Sequence, residues 1–310
     1  MDIFTIILTV LGLSVFEIVS SVDNAVINAE VLGTMTARAK KWFLTWGLFF
    51  AVFVVRGLLP WLIIWLSTPK LGPVEALMAA FSQDPTVFAA VERSAPILLA
   101  GGGVFLVLLF LHWLFVEPKS FGFAHEQFFH YHGVWFYAAA SAFLSVVVWY
   151  ALKIDPIVAF GAVVGSTAFF ITHGFKQNAE AEEARLVSGR GGMSDLAKLF
   201  YLEAIDTTFS IDGVLGAFAF TLAVPLIVLG NGLGALVLRQ LTMKNIDRVK
   251  EYVFLKNGAM YSVVVLGAVM LAEAFGYHVS PIIAPLSTFV ILGYFFWRSV
   301  LEKKTNRVTI

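Results

Sequence analysis

The sequence predicts an all-α polytopic membrane protein with about nine transmembrane helices arranged as an inverted-topology repeat. The 310-residue chain is 59% hydrophobic and only 14% charged, whereas soluble domains are closer to half apolar and a quarter charged. Apolar segments long enough to cross a hydrocarbon core of ~30 Å recur along the whole chain. One acidic motif also occurs twice, 189 residues apart.

Composition excludes several classes of protein. The formal net charge is zero, so no basic surface indicates nucleic acid as a partner. The chain has no cysteine, which excludes disulfides, thiolate metal sites and thiol catalysis. It also lacks a Gly-rich phosphate loop, a nucleophile elbow and a HExxH motif. We therefore expect no enzyme, and we expect the first span to be retained, because Met1-Asp2-Ile3 lacks a basic signal-peptide region.

Nine predicted spans follow from the apolar segments, each near or above the ~20 residues that cross a membrane. They cover 3–30, 42–66, 96–116, 133–152, 156–175, 197–222, 224–240, 252–273 and 281–298. The longest connections, 67–95 and 176–196, are predicted to be polar linkers, and no soluble domain fits between the spans. The fourth and fifth spans are separated only by a very short connection at Asp155-Pro156.

The distribution of Lys and Arg predicts the orientation, because cytoplasmic segments carry the excess of these residues. With the N-terminus outside, 17 of the 21 lie on inner segments and three, Lys70, Arg93 and Lys153, lie on outer ones. Arg56 falls inside the second span. This bias predicts an odd number of spans and a cytoplasmic C-terminus, a plan that suits a bacterial inner (plasma) membrane.

The acidic motif belongs to a longer repeat. Glu17–Asn24 and Asp206–Gly213 both read acid-x3-Ser-x-Asp-[Asn/Gly]. In the following span of each half, "GLFFAVFVVRGL" aligns with "GNGLGALVLRQL", which places Arg56 on Arg239. Because five spans separate the two copies, they cross the membrane in opposite directions, as in secondary transporters. We predict one transmembrane domain over 1–310, with a first half at about 1–152, a connecting part at 153–196 and a second half at 197–310.

Five carboxylates lie within the predicted spans: Glu17, Asp23, Glu203, Asp206 and Asp212. Each would cost about 2.5–3.5 kcal/mol at the centre of a lipid-facing helix, so together they would cost on the order of 12–18 kcal/mol. They must therefore face the protein interior and have partners. Arg56 and Arg239 are predicted to balance part of this charge, and the remaining carboxylates must be protonated or hold a cation.

Helix geometry predicts a break in each motif. The second acid of each copy follows the first by six residues, which places it 120° away around an unbroken helix. Breaks at Asp23-Asn24 and Asp212-Gly213 would bring both acids toward one point, and Asn and Gly tolerate such conformations. Freed backbone carbonyls would then become additional ligands, as in transporters with discontinuous helices.

Carboxylate, amide and hydroxyl oxygens are hard donors that suit Mg²⁺, Ca²⁺ or Mn²⁺ rather than Zn²⁺ or Cu⁺. The sequence thus predicts a metal site formed by the five acids, with Ser21, Asn24 and Ser210 as further candidate ligands. Two alternatives stay open at this point. The acids could form only structural ion pairs with the two arginines, or they could carry protons alone.

At these residues the sequence resembles the TerC family of membrane proteins, within the LysE-like transporter superfamily. The two motifs, the acid Glu203 just upstream of the second one, and the Arg56 and Arg239 positions carry the resemblance. The length and polar loops are most similar to a TerC-like subgroup of unknown function. The resemblance implies efflux of a divalent cation, with Mn²⁺ the leading candidate and Ca²⁺ or Mg²⁺ as alternatives. Gly213 departs from the family pattern, in which Ser is common.

Other polar residues receive weaker functional interpretations. "FAHEQFFHYH" at 123–132 could form a cytoplasmic metal site, but an aromatic interfacial helix explains it better, since the spacing fits no zinc signature. His173 could relay protons, although a helix end is the simpler interpretation. Asn231, amid small residues, favours helix packing over a ligand role.

These observations favour a secondary transporter that exports a divalent metal ion through a carboxylate site at the membrane midplane, and titrating carboxylates would allow exchange against protons. A non-transporting membrane scaffold or metal-loading partner is the main alternative. An intramembrane metallohydrolase fits less well, because such enzymes usually bind their metal through His. The expected partners are the metal ion and the lipid bilayer, no organic cofactor is expected, and a homo-oligomer is compatible with this plan.

Overall fold

The computed structural model describes the backbone of residues 2–47, 49–67, 72–76, 85–187, 194–244 and 251–308, and within these ranges it contains helices and no β-strand. The helices are α1 (Ile3–Ser20), α2 (Val22–Gly33), α3 (Ala37–Trp42), two π-helical segments (Phe43–Gly47 and Phe50–Val55), α4 (Arg56–Ser67), α5 (Pro85–Phe115), α6 (Ala124–Tyr131), α7 (Phe136–Ala151), α8 (Pro156–Val187), α9 (Asp195–Ala217), α10 (Val224–Lys244), α11 (Leu255–Ala274) and α12 (Ile283–Val308). The all-α prediction is confirmed.

Eight helical stretches in this described part are long and apolar enough to cross a membrane, and the protein is an integral membrane protein. They are α1, the stretch Ala37–Leu66, and α5, α7, α8, α10, α11 and α12. The remaining predicted span, the sixth at 197–222, corresponds to α9, which carries Glu203, Asp206 and Asp212 within its length. The helix that carries most of the predicted site is thus not among the eight candidate membrane-spanning helices.

Two predicted polar linkers are partly wrong, because helices extend into them. The linker predicted at 67–95 contains the start of α5 at Pro85, a residue whose fixed φ suits the first position of a helix. The linker predicted at 176–196 contains the final part of α8, from Lys176 to Val187. The sequence "AEAEEARL" in that extension consists of strong helix formers, which local propensity stabilises without apolar burial.

The centre of the helix bundle is α5, which packs closely against α8 and α11. Gly101 on α5 faces Gly161 and Gly165 on α8 so closely that an added Cβ would meet backbone atoms. Gly103 makes a similar approach to the carbonyl of Gly267 on α11. Small residues at helix crossings allow such close backbone packing, which supplies the van der Waals contact that holds membrane helices together.

Contacts between the two motif helices establish their relative direction. Gly213 on α9 lies against Glu17, Gly216 lies against Phe16, and Phe220 lies against Gly12. As the residue number increases along α9 and just beyond it, the contacted residue in α1 has a lower number, so the two helices are antiparallel. This is the arrangement that an inverted repeat requires.

The second helix of each half obeys the same rule. Gly47 in the first π-helical segment lies beside Arg239, and Val52 in the second lies beside Gly232 on α10. The Ala37–Leu66 stretch and α10 are therefore antiparallel as well. In both pairs, the helix of the first half and the corresponding helix of the second half are therefore antiparallel.

The two predicted helix breaks have different outcomes. In the first copy the helix is interrupted at Ser21, which has φ −101° and ψ 7° and separates α1 from α2, two residues before the predicted position. In the second copy the prediction is wrong, because α9 continues unbroken through Asp212 and Gly213 to Ala217. Gly213 serves close packing instead, since a Cβ there would lie 2.7 Å from Oε2 of Glu17.

Candidate functional site

The predicted charged residues meet where the two halves contact each other. Glu17 comes from the end of α1, Arg56 from the start of α4, Glu203 and Asp206 from α9, and Arg239 from α10. We refer to these five residues as the carboxylate–arginine cluster. All five are buried or nearly so. Their charges therefore face the protein interior and not the lipid.

Glu17 and Arg56 form the innermost pair of the cluster. Their side chains are only 1% and 3% exposed, and the guanidinium donates to Glu17 Oε1 from both Nη2 and Nε, the latter at 3.2 Å. Arg56 also donates from Nη1 to the carbonyl of Ala51 at 3.0 Å. That carbonyl lies in a π-helical segment, which displaces backbone acceptors from the regular α-helical pattern. The hydroxyl of Ser21 donates to the same Glu17 oxygen at 3.2 Å.

Glu203 and Arg239 form the corresponding pair in the second half. Arg239 Nη2 lies 3.4 Å from Glu203 Oε1, and its Nη1 donates to the carbonyl of Phe43 at 2.9 Å. The guanidinium also lies 3.9 Å from the centre of the Phe43 ring, a cation–π contact. The first π-helical segment therefore holds the second arginine, just as the second segment holds the first.

Asp206 lies between the two arginines. Its Oδ2 is 3.9 Å from Nη1 of Arg56 and 3.9 Å from Nη2 of Arg239. Each arginine thus has a closer carboxylate of its own and a second contact with Asp206. Ser210, a candidate ligand one turn later, donates to the backbone carbonyl of Asp206 at 2.6 Å. Asp206 is therefore the carboxylate that the two guanidinium groups share.

Asp212 lies apart from the cluster and pairs with Lys176 on α8. The reason is the continuous helix: six residues after Asp206, its side chain points about 120° away at the ideal helical twist. Sequence reasoning missed Lys176, because it follows the apolar run of its span and was assigned to the inner loop. Its partner could have been found only by knowing which face of α9 meets α8.

The side chains of Asp23 and Asn24 lie outside the described part of the structure, although their backbone belongs to α2. The prediction that they bind metal therefore stays a prediction. Arg56 and Arg239 do contact carboxylates as predicted, and Lys176 adds a third cation. Four described acids, Glu17, Glu203, Asp206 and Asp212, then face three cations, which leaves one negative charge in excess before Asp23 is considered.

Several buried oxygen atoms near these helices have no hydrogen-bond partner among the described residues. They are Oε2 of Glu203, Oδ1 of Asp212, and the amide oxygens of Asn28 on α2 and Asn231 on α10. Asn231 is fully buried and its amide nitrogen is 3.5 Å from the carbonyl of Gly213. An unsatisfied buried acceptor is costly, and a cation is one means of satisfying it.

The described residues contain no group of three or more Asp, Glu or His side chains placed to hold a metal ion together. The physical reason lies in the cluster itself, where guanidinium groups separate the carboxylates. In this arrangement, a metal ion could bind several of these acids only if an arginine or Lys176 gave up a partner.

The histidine-rich segment forms α6, a short helix, and its polar groups have separate partners. Glu126 is buried and accepts from the backbone nitrogen of Gly122 at 2.7 Å and the amide of Asn257 at 2.9 Å. His125 lies 2.6 Å from the hydroxyl of Tyr261, and His132 lies 2.7 Å from the carbonyl of Phe128. These contacts attach α6 to α11 and terminate the helix, which agrees with its interpretation as an interfacial helix.

The profile of one family, described as a protein of unknown function (DUF475), matches residues 22–306. The chain belongs to the DUF475 family. The match includes Arg56, both motif aspartates and all of α9, so it covers nearly the whole helix bundle. The searches of curated proteins and of solved structures gave no match to this DUF475 protein.

Proposed function

We propose that this DUF475 protein is a secondary transporter that exports a divalent metal ion, with Mn²⁺ as the leading substrate, as the resemblance to TerC implies. The observation that carries the proposal is the position of Asp206, a buried carboxylate held between two arginines that come from opposite halves of an inverted repeat. In transporters of this architecture the substrate binds between the halves and each half moves relative to the other.

The charge balance supports a cation as the substrate. The described acids exceed their three cationic partners by one, and Asp23 would raise the excess to two, the charge of a divalent ion. The unsatisfied oxygens of Glu203 and Asp212 are hard donors of the kind that Mn²⁺, Mg²⁺ and Ca²⁺ accept. The sequence shows no ATP-binding motif, so ion gradients are the proposed driving force.

Alternating access gives the arginines a role in the mechanism. With the two guanidinium groups paired to the carboxylates, the site is closed to metal, because an entering cation would have to displace an arginine. A relative shift of the halves that separates Asp206 from one arginine exposes carboxylate oxygens to an entering cation. The positive-inside bias predicts that α5 and α8 end at the cytoplasmic face, so efflux would load the site from that side.

The test is divalent-ion flux in proteoliposomes that contain the purified protein and an internal pH dye. Wild type should transport Mn²⁺, and Asp206→Asn and Asp212→Asn should abolish flux, because the carboxamide keeps the shape but removes the charge. Asp23→Asn should behave in the same way. His125→Gln, on the surface of α6, is the matched control and should retain flux.

Normal Mn²⁺ flux in folded Asp206→Asn and Asp212→Asn would contradict the assigned site. Absence of flux of Mn²⁺, Ca²⁺ and Mg²⁺ through well-folded wild type would contradict transport itself. That second result would favour a non-transporting scaffold or metal-loading partner, in which the carboxylate–arginine cluster only holds the halves together.

A further inference from the structure

A second group of titratable side chains lies where α5 ends and α11 begins, beside the middle of α8. His112 lies near the end of α5, and its ring centre is 3.8 Å from that of His173 on α8. Just beyond α5, Glu117 Oε1 is 3.4 Å from Nδ1 of His112, and Glu117 Oε2 is 2.8 Å from Nζ of Lys256 on α11. The sequence gives no hint of this arrangement, because these residues come from three separate helices.

His112 is buried and His173 is half-buried, so the two histidines do not form a surface patch. His112 is only 5% exposed and meets the edge of Phe136 at 5.2 Å. His173 stacks on Phe169 with ring centres 5.7 Å apart and an interplanar angle of 8°. An apolar wall therefore covers one side of the pair. Two imidazolium ions at 3.8 Å would repel each other strongly in such surroundings, so the second of two protons would bind far more weakly than the first.

Side-chain exposure decreases from Lys256 and Glu117 toward His112. The side chains of Lys256 and Glu117 are 34% and 26% exposed, whereas that of His112 is 7% exposed. Glu117 stays ionised: burial alone would raise the pKa of its carboxyl group, but the contact with His112 and the charge of Lys256 outweigh burial and hold the pKa below its ordinary value. An ionised carboxylate beside His112 stabilises a proton on the imidazole.

The pair is connected to the candidate metal site through Lys176, which lies one helical turn from His173. His173 and Lys176 are three residues apart on α8 and share a helix face, and Lys176 pairs with Asp212. A positive charge on the histidines would repel the Lys176 ammonium and favour its contact with Asp212. Loss of that charge would remove the repulsion and allow Lys176 to leave Asp212.

We propose that His112 and His173 together bind one proton, stabilised by Glu117, and that this proton is the counter-ion of transport. Only the counter-ion role rests on the proposed function, whereas the shared proton does not. The proton comes from water at the end of α5, forms one N–H bond on the imidazole pair and leaves again as the pair returns to neutral. Proton-loaded and metal-loaded states exclude each other, because Lys176 covers Asp212 in the first and releases it in the second.

Two charged neighbours, Glu117 and Lys176, act on the pair directly. Other charged groups of the surrounding elements act through these two: Lys119 after α5, Glu126 on α6 through Lys119, Asp212 on α9 and Lys256 on α11. Glu117 is the anionic neighbour in direct reach of His112. Removing its charge should therefore weaken proton binding by the pair, whereas removing a neighbouring cation such as Lys176 should strengthen it.

The first experiment counts protons and needs no transport. Proton uptake between about pH 8 and 5, where histidine titrates, is measured by potentiometry for the purified protein. If the pair is one site, His112→Gln and His173→Gln each leave the total unchanged, because the remaining imidazole takes the proton. The double variant loses one proton relative to wild type.

Two outcomes would overturn the shared site. Loss of one proton in each single variant and two in the double variant means independent histidines, and no loss in the double variant means a pair that never titrates. ¹⁵N-histidine NMR of wild type measures the protonation of each imidazole directly and does not depend on whether the variants fold. The protonation shifts of the two imidazoles should together amount to one proton, with the larger share on His112 because Glu117 contacts it, and Glu117→Gln should move their common midpoint to lower pH.

The second experiment tests coupling in proteoliposomes. In His112→Gln/His173→Gln, proton movement driven by Mn²⁺ should be lost, and Mn²⁺ flux should fall by about a hundredfold, the scale at which a positioned proton acceptor contributes. Full Mn²⁺-driven proton movement in the double variant would overturn the counter-ion role. If wild type moves no divalent ion, the proposed function fails, whereas the proton count decides the shared site on its own.

Discussion

The two copies of the acidic motif have the same residues but different backbones and different partners. The first copy is interrupted at Ser21, and its leading acid Glu17 pairs with Arg56 from its own half. The second copy is one continuous helix, and its leading acid Asp206 is shared between both arginines. Equal sequence patterns thus produced one fixed ion pair and one carboxylate with two weaker contacts.

A further difference concerns the position before each motif. By the alignment of the repeat, Glu203 corresponds to Ser14. The Ser14 hydroxyl donates to the carbonyl of Gly230 at 2.9 Å, whereas the Glu203 carboxylate lies against Gly47, the residue that corresponds to Gly230. The second half therefore carries one additional acid at an equivalent contact. The excess negative charge of the site comes from this asymmetry.

The largest expected effect follows from removing the fixed pair. Glu17→Gln leaves the Arg56 guanidinium buried with a neutral amide, and breaking a buried pair in this way costs about 3–5 kcal/mol. Asp206→Asn should cost less than half as much, since both arginines keep their closer carboxylates. Thermal unfolding of the detergent-solubilised variants measures the difference.

The control for that comparison is the double variant Glu17→Gln/Arg56→Met, which removes both charges. It should recover most of the stability that Glu17→Gln loses. Equal destabilisation by Glu17→Gln and Asp206→Asn would mean that the two acids are held equally, contrary to their contacts.

The next effect concerns Asp212, whose partner lies in the connecting part rather than in either half. Lys176→Met leaves Asp212 buried without its ammonium, so we expect a loss of about 3 kcal/mol, the low end for a broken buried pair. Lys176→Met/Asp212→Asn should restore stability. In flux assays, Lys176→Met should lower the apparent KM for Mn²⁺, because the competing cation is gone; an unchanged or raised KM would count against that competition.

A smaller effect tests why the second copy is unbroken. Gly213→Ala would place a Cβ 2.7 Å from the Glu17 carboxylate, so the Glu17–Arg56 pair must shift and stability should fall. Gly293→Ala on α12 is the matched control, because nothing lies within 4 Å of its Cβ position, and helix propensity alone favours Ala by up to about 1 kcal/mol. A rise in unfolding temperature for both variants would show that Gly213 has no packing role.

The smallest effect is a pH dependence of stability, at the contact between Asp195, where α9 begins, and Thr36, just before α3. Asp195, the first residue of α9, accepts from the backbone nitrogen of Thr36 at 3.1 Å and from its hydroxyl, and these bonds lower the pKa of Asp195 below its usual 3.8. A depressed pKa contributes stability above pH 3.8 that is lost as the pH falls through the folded-state value. We expect this contribution to be small, as for exposed pairs in general.

The measurement for that prediction is the unfolding temperature as a function of pH. Asp195→Asn should flatten the decrease below about pH 4, the range in which the unfolded carboxyl titrates. Asp2→Asn removes the capping carboxylate at the start of α1 and should leave the Asp195 contribution in place. An identical acid decrease in wild type and Asp195→Asn would refute the assignment.

Much of the fold could be predicted from sequence because membrane solvation constrains it strongly. Apolar length indicated the spans, and the repeated Arg and acid positions indicated two antiparallel halves. Linker boundaries were less predictable, since strong local helix formers extended α8 to Val187 and Pro85 started α5 early. The pairing of Arg56 and Arg239 with carboxylates followed from charge alone.

The sequence by itself determined that the buried acids must face an interior and have cationic partners, because an unpaired carboxylate in lipid is too costly. Only the tertiary structure decided which partners they have. A continuous α9 directs Asp212 to Lys176 and Asp206 to the arginines, and crossings of α5, α8 and α11 bring His112 next to His173. Such choices depend on which helix faces meet, and that depends on packing among residues distant in the chain.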